Sequence, residues 1–153
     1  MLAKPHHPVR QSGFTLLEIL IAIVILSVGL LGLAGLQARS LQANQSALMR
    51  SQATVLAYDI LDRMRANRAT ARAGGYDQNM ADAAPASGTI QADDVISWLD
   101  ELSTRLPGGD GAIQVNTDVV TITVQWDDRR ASAASDAEQT AAETQQFVVE
   151  SRL

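Results

Sequence analysis

The hydrophobic pattern begins with an almost unbroken apolar run. Residues 14–36 read FTLLEILIAIVILSVGLLGLAGL, and Glu18 is the only charge among them. As a helix rising about 1.5 Å per residue, this run is roughly 34 Å long, enough to cross a bilayer core of about 30 Å. Beyond Leu36 the chain turns polar without a break. Leu41, Leu48, Met49, Gln52, Leu56, Ile60 and Met64 recur at steps of three, four or seven, with Val55 and Leu61 beside them. This is amphipathic helical spacing, and it assigns Leu41, Leu48, Leu56, Ile60 and Met64 to a core. No proline interrupts residues 14–72, and Gly74-Gly75 supplies a stop. The pattern predicts one helix over residues 14–70, about 85 Å long. Its first half projects and its second half packs on a small domain.

The remaining pattern describes that domain. Residues 73–92, rich in Ala, Gly, Asp and Ser with Pro85, read as a connecting loop. Asp93 or Asp94 is positioned to cap a short helix carrying Val95, Trp98, Leu99, Leu102 and Leu106, which Pro107-Gly108-Gly109 ends. Ile113 and Val115 alternate in a strand. Val120, Ile122, Val124 and Trp126 alternate with Thr121, Thr123 and Gln125 in a second strand, after a hairpin turn at Asn116-Thr117-Asp118. Residues 146–152 form a third. Residues 129–145 carry no large apolar side chain and read as an exposed loop. The predicted class is α+β: a long N-terminal helix, half membrane span and half amphipathic, packed on a small antiparallel sheet.

Charge and composition set the compartment. The chain has 153 residues, a formal net charge of −5 and no cysteine. An acidic chain lacks the basic footprint of a nucleic-acid binder, and no disulfide can pin the 129–145 loop. Lys4 and Arg10 precede the apolar run with no acid between them, so the N-terminus stays on the cytoplasmic side and the domain lies outside the inner membrane. A cleaved secretory signal is the simplest alternative, but Gly32 to Ala38 offers a poor cleavage site. Glu18 counts further against it: a carboxylate inside a span is costly and marks function.

Gly13-Phe14-Thr15-Leu16-Leu17-Glu18 resembles the class III prepilin signal of type IV pilins and their relatives. The resemblance implies a leader of residues 1–13, a span over 14–36, an amphipathic continuation over 37–72 and a head over 73–153, in the type IV pilin fold. It implies that prepilin peptidase cuts after Gly13 and N-methylates the new N-terminal Phe14. It further implies that Glu18 meets the N-terminal amine of a neighbouring subunit during assembly. After that cut no lysine or histidine remains, since Lys4, His6 and His7 all lie in the leader. The Phe14 amine is then the only amine in the subunit. Residues 27–37, 57–67 and 106–109 are similar to minor pilins of the PilV, or pilus modification, type. That likeness implies a structural subunit, not an enzyme, which joins other minor pilins and the major pilin at the inner-membrane assembly platform. It primes pilus assembly, is incorporated in the pilus at its tip and reaches the cell surface with it. A type II secretion pseudopilin and an adhesin-like pilin whose head binds a ligand are the alternatives.

Other chemistry is sparse. Without His or Cys after residue 13, a Ser-His-Asp relay and most transition-metal sites are excluded, and no cofactor is implied. Asp93-Asp94, Asp100-Glu101 and Asp127-Asp128 read as solvated surface, with a calcium site at Asp127 and Asp128 a weaker reading. Trp98 and Trp126 sit on apolar faces and read as core. Gly29, Gly32 and Gly35 suggest a flexible zone in the helix. Residues 37–72 carry six arginines and two acids, residues 73–153 four arginines and fourteen acids. This split suggests pairing of basic stalk with acidic head between subunits.

Overall fold

The computed structural model describes residues 13–128 and 144–153. In chain order they form α1 (Leu16–Ala66), α2 (Arg68–Arg72), α3 (Ile90–Arg105), β1 (Asp110–Asn116), β2 (Val119–Asp127) and β3 (Thr144–Arg152). The chain divides into two compact units, one ending at Ala38 and the other starting at Arg39.

In the first unit, α1 is helical from Leu16 and every side chain from Gly13 to Ala38 is exposed. The helix runs unbroken through Gly29, Gly32 and Gly35, so the expected flexible zone is not a break in the backbone. Each glycine weakens a helix by about 1 kcal/mol, and three of them do not interrupt this helix of 51 residues. Ser27 Oγ donates to the Ile23 carbonyl at 2.7 Å, so the hydroxyl is satisfied within the helix.

In the second unit, three antiparallel strands lie in the order β1-β2-β3. The expected alternation in β2 holds: Val120, Ile122, Val124 and Trp126 are buried. Ile113 pairs with Ile122, which in turn pairs with Val149, so one apolar row crosses the sheet. The β1–β2 hairpin turns at Thr117 and Asp118, with Thr117 at φ 59°. The N-terminal part of β1 is glycine for a packing reason: a Cβ on Gly111 would collide with the Trp98 ring. The Trp98 indole in turn donates to the Leu56 carbonyl of α1 at 3.0 Å. One side chain thus ties α3 to both α1 and β1.

Three expectations need correction. First, Leu41 and Leu48 are not core; they are 70% and 58% exposed. The buried stripe of α1 is Met49, Ala53, Leu56, Ala57, Ile60, Leu61 and Met64. At about 100° per residue, Leu48 sits roughly a third of a turn from Ile60. A seven-residue step drifts off the face that a straight helix buries, and Ala53 and Ala57 lie on that buried face. Second, α1 ends at Ala66, because Asn67 leaves helical geometry (φ −114°, ψ 47°) before α2 begins. The Asn67 side chain accepts from Thr70 Oγ1 at 2.8 Å and donates to the Tyr76 hydroxyl at 3.3 Å. Third, Thr89, not Asp93 or Asp94, caps α3, accepting from the Ala92 amide at 3.4 Å. Asp93 instead binds the preceding turn through Ser87 Oγ at 2.7 Å.

The 73–92 segment is held more firmly than its composition suggests. Gln78 is buried and bridges Ile113 through its backbone. Its amide nitrogen reaches the Asn79 and Asp82 carbonyls at 3.3 and 3.2 Å. Of the expected loop over 129–145, residues 129–143 lie outside the described residues, as do residues 1–12 of the leader.

Candidate functional site

The Gly13–Glu18 segment is built around the start of α1. Gly13, Phe14 and Thr15 lie outside the helix and are exposed. Thr15 Oγ1 accepts from the Glu18 amide at 3.2 Å, and the Thr15 carbonyl accepts from the Ile19 amide at 3.2 Å. Thr15 is therefore the N-cap, and Glu18 stands three residues on, in the Thr-x-x-Glu spacing of a capping box. A carboxylate in the first turn is also favoured by the positive end of the helix dipole. Glu18 is the only acid of that turn, and the side chains around it, Leu16, Leu17, Ile19 and Leu20, are all exposed and apolar. Gly13 has open space where a Cβ would stand and no positive φ. Nothing in the fold of this chain demands glycine there.

Of the six arginines expected to reach a second subunit, Arg63, Arg65, Arg68 and Arg72 are instead engaged within the chain. Arg63 meets Asp59 at 2.7 Å, Glu101 at 3.4 Å and Asp94 at 3.8 Å. Arg105 joins the same cluster through Glu101 at 3.1 Å. Arg65 binds Asp62 at 3.0 Å and Ser151 at 2.9 Å, and Arg72 binds Asp118 at 2.9 Å. The Arg68 guanidinium donates to the Leu153 carbonyl. The charge split that suggested pairing between subunits is thus partly used within one subunit, because these arginines lie beside α3, the β1–β2 turn and the end of β3. The Tyr76 hydroxyl donates to Asp94 at 2.8 Å beside this cluster. Burial first, and then the neighbouring Asp94 carboxylate, push the Tyr76 hydroxyl above its ordinary value.

Four of the six acids in the acid pairs are engaged within the fold, while Asp100 is exposed surface as expected. Asp93 holds a turn, Asp94 serves Tyr76 and Arg63, and Glu101 serves two arginines. Asp128 is buried and accepts from Ser46 Oγ of α1 at 2.8 Å, which fastens the end of β2 to the helix. It is not solvated surface. Among the described residues, no group of three His, Cys, Asp or Glu is placed to hold a metal ion. Sequence reasoning missed Thr15, whose signal was the Thr-x-x-Glu spacing, and Gln78, which had none.

Two family models match the chain in succession. One, described as the prokaryotic N-terminal methylation motif, matches residues 9–34. The other, described as type IV pilin Tt1218 (Tt1218-like), matches residues 35–94. No curated protein and no solved structure matches the chain. The exposed apolar helix with its capped start and the α+β head fit those two matches, and together they support a type IV pilin that carries a prepilin signal.

Proposed function

We propose that this chain is a minor pilin, resembling the PilV type, which primes pilus assembly and enters the pilus at its tip. In this reading prepilin peptidase removes residues 1–13 and N-methylates Phe14. Glu18 then pairs with the Phe14 amine of a neighbouring pilin. Before assembly the subunit spans the inner membrane once, N-terminus in the cytoplasm and head in the periplasm. Its partners are other minor pilins, the major pilin, the assembly platform and membrane lipid. The role is structural and not enzymatic.

The observation that carries the reading is the helix from Leu16 to Ala38: it buries no side chain and bears one acid, Glu18, at its capped start. A helix apolar on all sides needs lipid or other helices around it. A carboxylate within that surface is stable only with a partner, and the Phe14 amine released by cleavage is the right charge. Gly13 supports the same reading, since its missing side chain serves nothing within the chain. Leu41, Leu48 and Val55 add a second exposed line at seven-residue spacing, suited to packing on a neighbouring helix.

The test is mass spectrometry of the chain recovered from pili and from membranes, with deletion of its gene scored for piliation. The expected result is an N-terminus at methylated Phe14 and few pili in the deletion strain. An N-terminus that retains residues 1–13, or normal piliation without the chain, overturns the reading.

A further inference from the structure

We propose that Thr15 is a positioning residue for leader removal: as the N-cap of α1, it ends the helix just short of the bond to be cut. The inference rests on the reading that cleavage falls between Gly13 and Phe14. Hydrolysis there adds water across the amide and releases a Gly13 carboxylate and a Phe14 amine. A peptidase needs that peptide group in open backbone, with its carbonyl and flanking amides free to bind the enzyme. In a helix the same groups are taken up by bonds four residues along.

Two observations place the helix start. The Thr15 hydroxyl accepts from the Glu18 amide at 3.2 Å. The first helical bond runs from Ile19 to the Thr15 carbonyl, and Gly13 to Thr15 are non-helical and exposed. Without the hydroxyl, the Glu18 amide loses its acceptor at a point where the chain enters an apolar medium. An unsatisfied amide there is costly. The nearest replacement acceptor is the carbonyl of Phe14, four residues back, and using it moves the helix start one residue toward the cleavage bond. Gly13 opposes any further extension because glycine is a poor helix former. Thr15 and Gly13 together therefore hold the bond open, one by capping and one by low propensity. The cap lies on the retained side of the cut, so the mature helix begins at the same residue.

The experiment measures the initial rate of leader loss from the full-length chain in membranes containing prepilin peptidase. It compares wild type with Thr15→Val, which keeps the shape and removes the acceptor, and with Thr15→Ser and Thr15→Asn, which keep a capping oxygen. Thr15→Val is expected to slow cleavage roughly fivefold, the order of population shift that follows loss of one N-cap. Thr15→Ser and Thr15→Asn are expected to stay within about twofold of wild type, because both cap helices well. Rescue by Asn separates capping from recognition of a hydroxyl by the enzyme. Wild-type rates in Thr15→Val overturn the inference, as do Ser and Asn variants as slow as Val. In both cases the processing reading stands, because wild type is still cut. A wild-type chain that retains residues 1–13 overturns the processing reading and this inference with it.

Discussion

From Leu16 to Ala38, α1 buries no side chain; from Met49 to Met64 the same helix buries seven. The first stretch is apolar on every side, and its side chains are exposed. The second is apolar on one face, which meets α3 and the sheet. Substitutions should therefore act on different quantities in the two regions: association in the first, folding in the second.

Trp98 is the strongest test of the second region. It touches Gly111, donates to the Leu56 carbonyl and is fully buried. Trp98→Ala is expected to cost about 3–5 kcal/mol in urea unfolding of the head, while the chain still sediments with membranes. The helix itself supplies a paired comparison. Ile60→Ala is expected to cost about 2–5 kcal/mol. Leu48→Ala, at an exposed position, is expected to shift stability by no more than about 0.5 kcal/mol. Equal costs at the two positions would place Leu48 back in the core.

Tyr76 carries a pH dependence. Its hydroxyl titrates above the ordinary value of 10.0 in the folded head. The folded state holds that proton more tightly than the unfolded state, so stability is intact below pH 10 and declines as pH rises through the raised value. Tyr76→Phe removes the bond to Asp94, is expected to cost about 1 kcal/mol at neutral pH, and flattens the alkaline decline in melting temperature. Glu18→Gln gives the smallest effect on the head. No change in its melting temperature is expected, yet pili should fail to incorporate the chain, scored by immunoblot of sheared pili. A destabilised head in Glu18→Gln would break the division between regions.

Much of this was legible in the residues. The apolar run, the alternation from Val120 to Trp126 and the glycine stops report local chemistry, so each marked its element. Gly13, Phe14 and Glu18 are close in sequence, so one helix start arranges them, whereas the capping role of Thr15 went unread. The errors lie where distant residues decide. Asp93 was a better local cap candidate than its actual use shows, because Ser87 and Gly88 compete for it. Gln78 carries no pattern, since its partners come from the turn that it closes and from β1. The arginines of the stalk read as partners for another subunit's head until Asp94, Glu101, Asp118 and Ser151 were brought beside them.

The sequence by itself determined that there is a long helix with an apolar, singly charged first half and an α+β head behind it. Period and hydrophobicity act over a few turns, and no tertiary contact is needed to read them. Only the tertiary structure decided which side of the second half is buried. Leu41, Leu48 and Val55 are as apolar as Leu56 and Ile60, and the choice between the two lines rests on which face of the helix the head's core covers. It also decided that Arg63, Arg65, Arg68 and Arg72 bind within their own subunit, because such pairs depend on distance, and distance between residues far apart in the chain is set by the fold.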